Sequence, residues 1–312
     1  MGIPLTRLNK GDEGRRRSRR QRREEASAYA FLLPALIFVL ALMLYPMLHS
    51  FYLSFTTYDF VYDEAPTFAG LRTYLEVLQD DFFQTAFKNT AYFALGFFPM
   101  LVILSLSIAL LLNQPLQGST LVRTSVFLPV IVSLALTGVM FQGMILSGRF
   151  GLLNHVLGNI LGLKVWTREW LTDPHTAMPS LIAVSLWKYV GFEALIFLAG
   201  LQAIPEALYE AAKVDGANGW QRLLHVTLPS LRESFALVGI WGIIQSIKVF
   251  EQAFVMTQGG PANSTFTLYY YTWKNAFDFY EMGNASASAY IVCFLILIFS
   301  LINMALTRGE RA

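Results

Sequence analysis

The feature that most constrains this chain is a series of long apolar runs separated by polar segments. A helix needs about 20 mainly apolar residues to cross the hydrocarbon core of a bilayer. Stretches that approach or exceed this length lie at residues 28–48, 85–112, 122–146, 178–201, 235–255 and 287–306. The pattern predicts an all-α, polytopic membrane protein with six transmembrane helices.

The composition supports a membrane protein and excludes several kinds of site. Hydrophobic residues make up 55% of the 312 residues and charged residues only 14%, whereas soluble domains average about 25% charged. Cys293 is the single cysteine and the four histidines are scattered, so we expect no disulfide and no metal site. No Gly-Lys dipeptide occurs, which rules out a phosphate-binding Walker A loop. If ATP drives this protein, another chain must bind it, and we expect no catalytic residue and no cofactor here.

The distribution of charge predicts the orientation in the membrane. Residues 1–27 carry a cluster of arginines, and a basic segment before the first apolar run marks the cytoplasmic side. Residues 50–83 hold acidic residues against Arg72 alone, as expected of an external segment, and Arg308 and Arg311 follow the last run. Both termini are therefore expected in the cytoplasm. The arginine cluster also suits anionic lipid, which we favour over the alternative of nucleic-acid binding.

These boundaries divide the chain into four parts. Residues 1–27 form a basic cytoplasmic tail, residues 28–84 the first transmembrane helix with an external segment, residues 85–307 a core domain of five helices, and residues 308–312 the cytoplasmic C-terminus. The core domain includes a polar cytoplasmic loop at 204–230.

This loop has the pattern of two short helices. Pro205 suits the first turn of a helix and Gly216 the left-handed position just past its end. A second helix is predicted at about 220–226, ending before Pro229. An isolated helix of this length is marginal in water, and Ala211 and Ala212 give the first one a low, smooth face. We therefore expect it to dock on a partner, although a plain helical cytosolic loop is the alternative.

The residues of this loop resemble a known motif. Glu210-Ala211-Ala212, then Gly216, then Leu228-Pro229, resemble the EAA loop of ABC importer permeases. Asp215-Gly216-Ala217 and Trp220 resemble its carbohydrate-uptake branch, the relatives of the maltose and glycerol-phosphate permeases. The resemblance continues in Phe68-Ala69-Gly70-Leu71, in Arg123 with Phe127-Leu128-Pro129, and in the turn Gly259-Gly260-Pro261, where Gln258 stands in place of the usual glycine.

The resemblance implies a fold, partners and a coupling site. The fold would be that of a type I ABC importer permease in a prokaryotic inner membrane. The partners would be a second homologous permease, two cytoplasmic ATPase subunits that bind ATP and Mg, and an external solute-binding protein that delivers a sugar. The residues that would couple this chain to the ATPase are Glu206, Glu210, Ala211, Ala212, Asp215, Gly216, Leu228 and Pro229. Glycerol-phosphate is an alternative substrate.

Polar residues inside the predicted spans indicate where a substrate could pass. Charges within a bilayer are costly and normally face a bundle interior or a wet cavity. In the fifth span Trp241, Gln245, Lys248 and Gln252 recur at helical spacing, which predicts one polar stripe with Glu251 beside it. Lys188 and Glu193 of the fourth span are weaker candidates. An aromatic ring among polar groups suits a sugar, but interhelical bonding or contact with a second permease would also explain the stripe.

Two other functions are compatible with a polytopic chain. A secondary transporter or channel that works alone would favour intramembrane carboxylates and matching broken helices in two halves; only Glu193 and Glu251 are available, and no such match is found. A membrane enzyme would need clustered acidic or metal-binding residues at one membrane face, and the external acidic residues are dispersed. The permease of an ATP-driven importer is therefore the preferred interpretation.

Overall fold

The computed structural model describes residues 10–114, 119–145 and 148–307. The α-helices in this part of the chain are α1 (Lys10–Val39), α2 (Tyr45–Leu53), α3 (Arg72–Gln79), α4 (Asp81–Leu112), α5 (Ser119–Ile131), α6 (Leu134–Met140), α7 (Leu152–His155), α8 (Pro174–Gln202), α9 (Glu206–Val214), α10 (Gly219–Arg222), α11 (Leu228–Ser230), α12 (Arg232–Ile247), α13 (Leu268–Phe277) and α14 (Met282–Thr307). The strands β1 (Thr56–Thr57) and β2 (Thr67–Phe68) form a short antiparallel hairpin.

Several short segments of π- and 3₁₀-helix extend or connect these helices. The π-helical segments are Leu40–Leu44, Phe141–Ile145, Val156–Ile160, Leu223–Thr227 and Ala253–Thr257, and the 3₁₀ segments are Gly148–Phe150 and Lys164–Trp166. The predicted all-α membrane fold is therefore confirmed.

In the described part of the chain, four helical stretches are long and apolar enough to cross a bilayer without interruption: Ser27–Leu53, Asp81–Leu112, Pro174–Gln202 and Met282–Thr307. The third predicted span is a pair of helices, Leu121–Ile131 and Leu134–Ile145, bent by 100° relative to each other. Pro129 lies in the last turn before this bend, where it removes a helical N–H donor. The side chain of Ser133 then caps the next helix by accepting from the Leu136 N–H at 3.3 Å.

The fifth predicted span is also interrupted, which corrects the expectation of one helix over 235–255. α12 ends at Ile247, and helical structure resumes at Glu251. The Val249 carbonyl in the gap accepts a hydrogen bond from Thr267 Oγ1 at 2.7 Å. The carbonyl group in the gap thus receives its hydrogen bond from a residue 18 positions further along the chain. The hydropathy of residues 235–255 contains no signal for this interruption.

The core of the bundle is the contact between α4 and α8. Phe93, Phe97 and Leu101 of α4 are buried against Leu181 and Val184 of α8. More than half of the apolar window of α8 is buried (56%), against 28% for α4 and 6% for α14, so α8 is the central helix. Close packing of α5 on α8 depends on a glycine, because a Cβ at Gly191 would collide with the Val126 carbonyl oxygen.

Among the described residues, 10–52 belong to one compact unit and those from Leu53 onward belong to a second. None of the apolar window of the spanning helix in the first unit is buried. Exposed side chains along this helix include Phe31, Phe38 and Leu42. Such a surface is compatible with bilayer lipid or with another transmembrane chain.

A cluster of hydrogen bonds connects the first turns of α4 to the segment before α14, where the additional helix α13 lies. Asn89 Nδ2 donates to the carbonyls of Asn263 at 2.6 Å and Phe266 at 2.9 Å. The Tyr271 hydroxyl donates to Asp80 Oδ2 at 2.7 Å. Gln258 adopts a left-handed conformation with φ of 49°, which explains why a glycine suits that position.

Candidate functional site

The polar loop that follows α8 contains the helix predicted from Pro205 to Gly216. Pro205 is the N-cap of α9, which begins at Glu206. Gly216 has φ of 80°, as predicted for the left-handed residue past the end of the helix. The N–H groups of Gly216 and Ala217 donate to the carbonyls of Lys213 at 3.1 Å and Ala212 at 2.9 Å. This is a Schellman motif, which satisfies the last carbonyls of the helix.

α9 is a short rod with no buried residue, connected to the second half of the loop by a side-chain hydrogen bond. The Tyr209 hydroxyl lies 3.0 Å from Thr227 Oγ1, and Thr227 is buried. Large apolar side chains of the loop remain exposed, at 87% for Val214 and 67% for Trp220. A rigid helix with uncovered apolar side chains has the properties of a docking element.

The second helix of the loop differs from its predicted extent. α10 begins after Asn218, which forms a reciprocal capping box with Gln221. The chain then stays helical through a π-helical turn and through Pro229 to Ser230, instead of ending before Pro229. Pro229 follows directly after the π-helical turn Leu223–Thr227, and its missing N–H is accommodated at this change in the helical hydrogen-bond pattern.

The eight residues predicted to contact an ATPase all lie on this loop. Glu206, Glu210, Ala211 and Ala212 lie on α9, Asp215 and Gly216 at its C-terminal end, and Leu228 and Pro229 at the start of α11. Of these, Glu206, Glu210, Ala211, Asp215, Gly216 and Pro229 are exposed, and Ala212 and Leu228 are half-buried.

The seven polar residues predicted for the substrate path divide into two groups. Trp241 and Gln245 lie on α12, and Lys248 and Glu251 lie at the interruption that follows, so the predicted continuous stripe is broken after Ile247. The Trp241 ring packs on Phe192 with centroids 5.4 Å apart, and the Lys248 ammonium lies 5.9 Å from the centre of the Tyr269 ring. Trp241, Lys248 and Glu251 are exposed and Gln245 is half-buried, so these four are accessible.

The other three, Gln252, Lys188 and Glu193, are buried in the bundle. Gln252 Nε2 donates to Ser185 Oγ at 2.8 Å. The Lys188 ammonium donates to backbone carbonyls of the bend between α5 and α6. Both carboxyl oxygens of Glu193 are buried without a hydrogen-bond partner among the described residues. These placements favour the interhelical alternative for Gln252 and Lys188, because their polar atoms bond to neighbouring helices.

The chain is similar in sequence to known transport proteins. Residues 70–308 match the family described as "Binding-protein-dependent transport system inner membrane component". The probable ABC transporter permease protein YurN of Bacillus subtilis (strain 168) is 35% identical over 278 residues, which are 88% of this chain and 94% of YurN. The lactose transport system permease protein LacF of Rhizobium radiobacter is 31% identical over 299 residues, 95% of this chain and 98% of LacF. The arabinooligosaccharides transport system permease protein AraP of Bacillus subtilis (strain 168) is 31% identical over 294 residues, which are 92% of this chain and 91% of AraP.

A solved structure has the same fold. A chain in the crystal structure of a bacterial ABC transporter involved in the import of the acidic polysaccharide alginate superposes with a TM-score of 0.78. It is 25% identical, and the match covers 95% of this chain and 100% of that chain. The chain therefore belongs to the family of inner membrane components of binding-protein-dependent transport systems and is a multi-pass permease with the type I ABC importer fold.

Proposed function

We propose that this chain is one of two homologous permease subunits of an ATP-driven importer and that its substrate is a carbohydrate. The permeases that it resembles are named for the transport of lactose and of arabinooligosaccharides, and the solved transporter imports alginate. These substrates share a polyhydroxylated ring and differ in size and charge. The class of substrate is therefore better supported than any particular sugar.

The loop that contains α9 to α11 is the proposed contact with the ATPase. The complex would have two cytoplasmic ATPase subunits, which bind ATP and Mg. The observation that carries this proposal is α9 itself, a capped helix with no buried residue that follows the central helix α8 after only Ala203, Ile204 and Pro205. A movement of α9 would therefore reach the helical bundle through α8. The arginine-rich tail and the positive-inside rule support an orientation with both termini in the cytoplasm.

The proposed substrate path runs past Trp241, Gln245, Lys248 and Glu251, and the second permease completes it. Trp241 presents an aromatic face on which a sugar ring can stack, and the three polar side chains can replace water around the hydroxyl groups. Lys188, Glu193 and Gln252 are buried and are assigned to the bundle behind this path. An external solute-binding protein delivers the sugar to it.

The test is to copurify the complex that assembles with this chain, identify its subunits and screen the solute-binding protein against mono- and oligosaccharides. Glu210→Arg should leave the chain inserted and abolish ATPase assembly or sugar-stimulated ATP hydrolysis. Glu64→Arg, a charge reversal on the exposed external segment, is the control and should assemble normally. Normal uptake by Glu210→Arg, or uptake by the chain alone in vesicles without ATP, would contradict the proposal.

A further inference from the structure

The bend in the third span leaves backbone carbonyl groups without helical partners. α5 ends at Ile131 and α6 begins at Leu134, at an angle of 100°. The last carbonyls of an α-helix have no intrahelical donor. Water cannot supply one within a bilayer, so such carbonyls need a donor from the protein.

Lys188 of α8 supplies that donor. Its ammonium donates to the Pro129 carbonyl at 3.0 Å and to the Val130 carbonyl at 2.6 Å, and it also bonds to the Val132 carbonyl. The side chain is only 8% exposed. A cation at a helix C-terminus is favoured by the partial negative charge there. One side chain thus uses all three of its N–H donors on one bend.

A second interrupted span is attached to α8 one turn away. Ser185 Oγ accepts a hydrogen bond from Gln252 Nε2 at 2.8 Å, and Gln252 belongs to the helical segment that resumes after the break in the fifth span. The resumed segment also packs on α6, because a Cβ placed on Gly138 would lie 3.1 Å from Val255 Cγ1. Both interrupted spans therefore meet α8 at the same level.

The same helix leads to the proposed coupling loop. α8 continues from Lys188 to Gln202, about 21 Å at 1.5 Å per residue, and α9 begins four residues later at Glu206. A displacement of α9 is thus carried along α8 to Ser185 and Lys188. From there it can reach the half-helices 134–145 and 251–257, which continue beyond the two breaks.

We propose that Lys188 is a positioning residue for transport: it fixes the bend between α5 and α6 to α8, and through it movement of the coupling loop reaches the outer half-helix 134–145. This inference rests on the proposed coupling role of α9. It extends that role by naming the contact that transmits the movement. Lys188 itself touches no substrate, because its ammonium is occupied by backbone carbonyls.

The geometric test measures the bend in the intact copurified transporter. Spin labels are placed at the exposed positions Met144 and His175 in a Cys293→Ser background, and the distance between them is measured by pulsed electron spin resonance. Lys188→Met removes the ammonium and keeps the chain length, so the distance distribution should broaden or shift. Lys188→Arg, which retains a charged donor, should restore it. Lys88→Met, a substitution of an exposed lysine on α4, is the matched control and should leave it unchanged.

The functional test measures ATP hydrolysis with and without the loaded solute-binding protein. Lys188→Met should retain basal hydrolysis and lose about tenfold in stimulation, the size of a typical coupling between two sites. A residue that only stabilises the fold would change the thermal unfolding temperature and leave the stimulation ratio unaltered. An unchanged distance distribution, or full stimulation despite a changed one, would overturn the proposal.

Two further outcomes are informative. If Lys188→Met does not assemble, Lys188→Gln is used in its place, because its amide reaches fewer carbonyls. Spin-label distances and a stimulation ratio equal to those of the wild type in Lys188→Gln would also overturn the proposal. Failure of the coupling role itself has a separate signature: Glu210→Arg would then transport normally, while the spin-label distances still respond to Lys188→Met.

Discussion

The Tyr209 hydroxyl lies 3.0 Å from the hydroxyl of Thr227, 18 positions further along the chain, and this contact closes the loop that follows α8. Tyr209 lies on α9 and Thr227 ends the π-helical turn that leads into α11. Because α9 has no buried residue of its own, the hydrogen bond is a main connection between the exposed rod and the helices that follow. We expect α9 to move together with the rest of the loop only while this connection holds.

Removal of this contact should loosen α9 without unfolding the bundle. Tyr209→Phe and Thr227→Val each delete one hydroxyl, and a single hydrogen bond contributes about 1 kcal/mol. Hydrogen exchange should become faster in residues 206–227 and stay unchanged in α4 and α8. In a double-mutant cycle the second substitution should add little to the first. Fully additive effects would show that the two hydroxyls act separately.

Gly216 should tolerate no side chain, for a reason of backbone conformation alone. A Cβ there would meet nothing within 4 Å, but its φ of 80° is costly for other residues by roughly 1–2 kcal/mol. Gly216→Val should therefore weaken copurification of the ATPase subunits and make the loop sensitive to limited proteolysis. Gly219→Ala is the matched control, because Gly219 is equally open and lacks the positive φ. Equal effects of the two substitutions would contradict this explanation.

Trp241 should contribute to sugar recognition through its ring face. Its indole is 40% exposed and supported by Phe192, and stacking of this kind is worth about 1 kcal/mol. Trp241→Ala should raise the sugar concentration for half-maximal uptake roughly fivefold. Trp241→Phe should bring this concentration most of the way back to the wild-type value. Phe294→Ala, at an exposed ring of α14, should leave uptake unaltered. A loss of maximal rate with no change in that concentration would argue for a role in assembly instead.

Glu193 should be replaceable by its neutral isostere. Its side chain is fully buried and its two oxygens have no hydrogen-bond partner in the described part of the chain. An ionised carboxylate in such a place is expensive, whereas an amide of the same shape carries no charge to bury. Glu193→Gln should keep uptake within about twofold of the wild type, and the thermal unfolding temperature of the complex should not fall. A loss of uptake with normal assembly would instead place this carboxyl in the transport path.

The two short helices of the loop show how far local pattern reaches. The start of α9 just after Pro205 and its end just before Gly216 follow from the local sequence, because capping depends on residues within one or two turns. The end of the second helix was predicted wrongly. A π-helical turn over Leu223–Thr227 precedes Pro229, and the helix continues to Ser230 although proline lacks an N–H donor.

The apolar runs determined by themselves that this chain is a helical membrane protein, since a bilayer accepts only segments whose backbone groups bond internally. The charge pattern and the loop residues likewise predicted the orientation and the family, because both are local properties of the sequence. Only the tertiary structure decided where the third and fifth spans break and what Lys188 and Gln252 do. Their partners lie 56 to 59 and 67 positions away in the chain. A polar residue in an apolar helix has the same sequence signal whether it faces a substrate or satisfies the carbonyls of a neighbouring bend, and only the packing of the helices distinguishes the two.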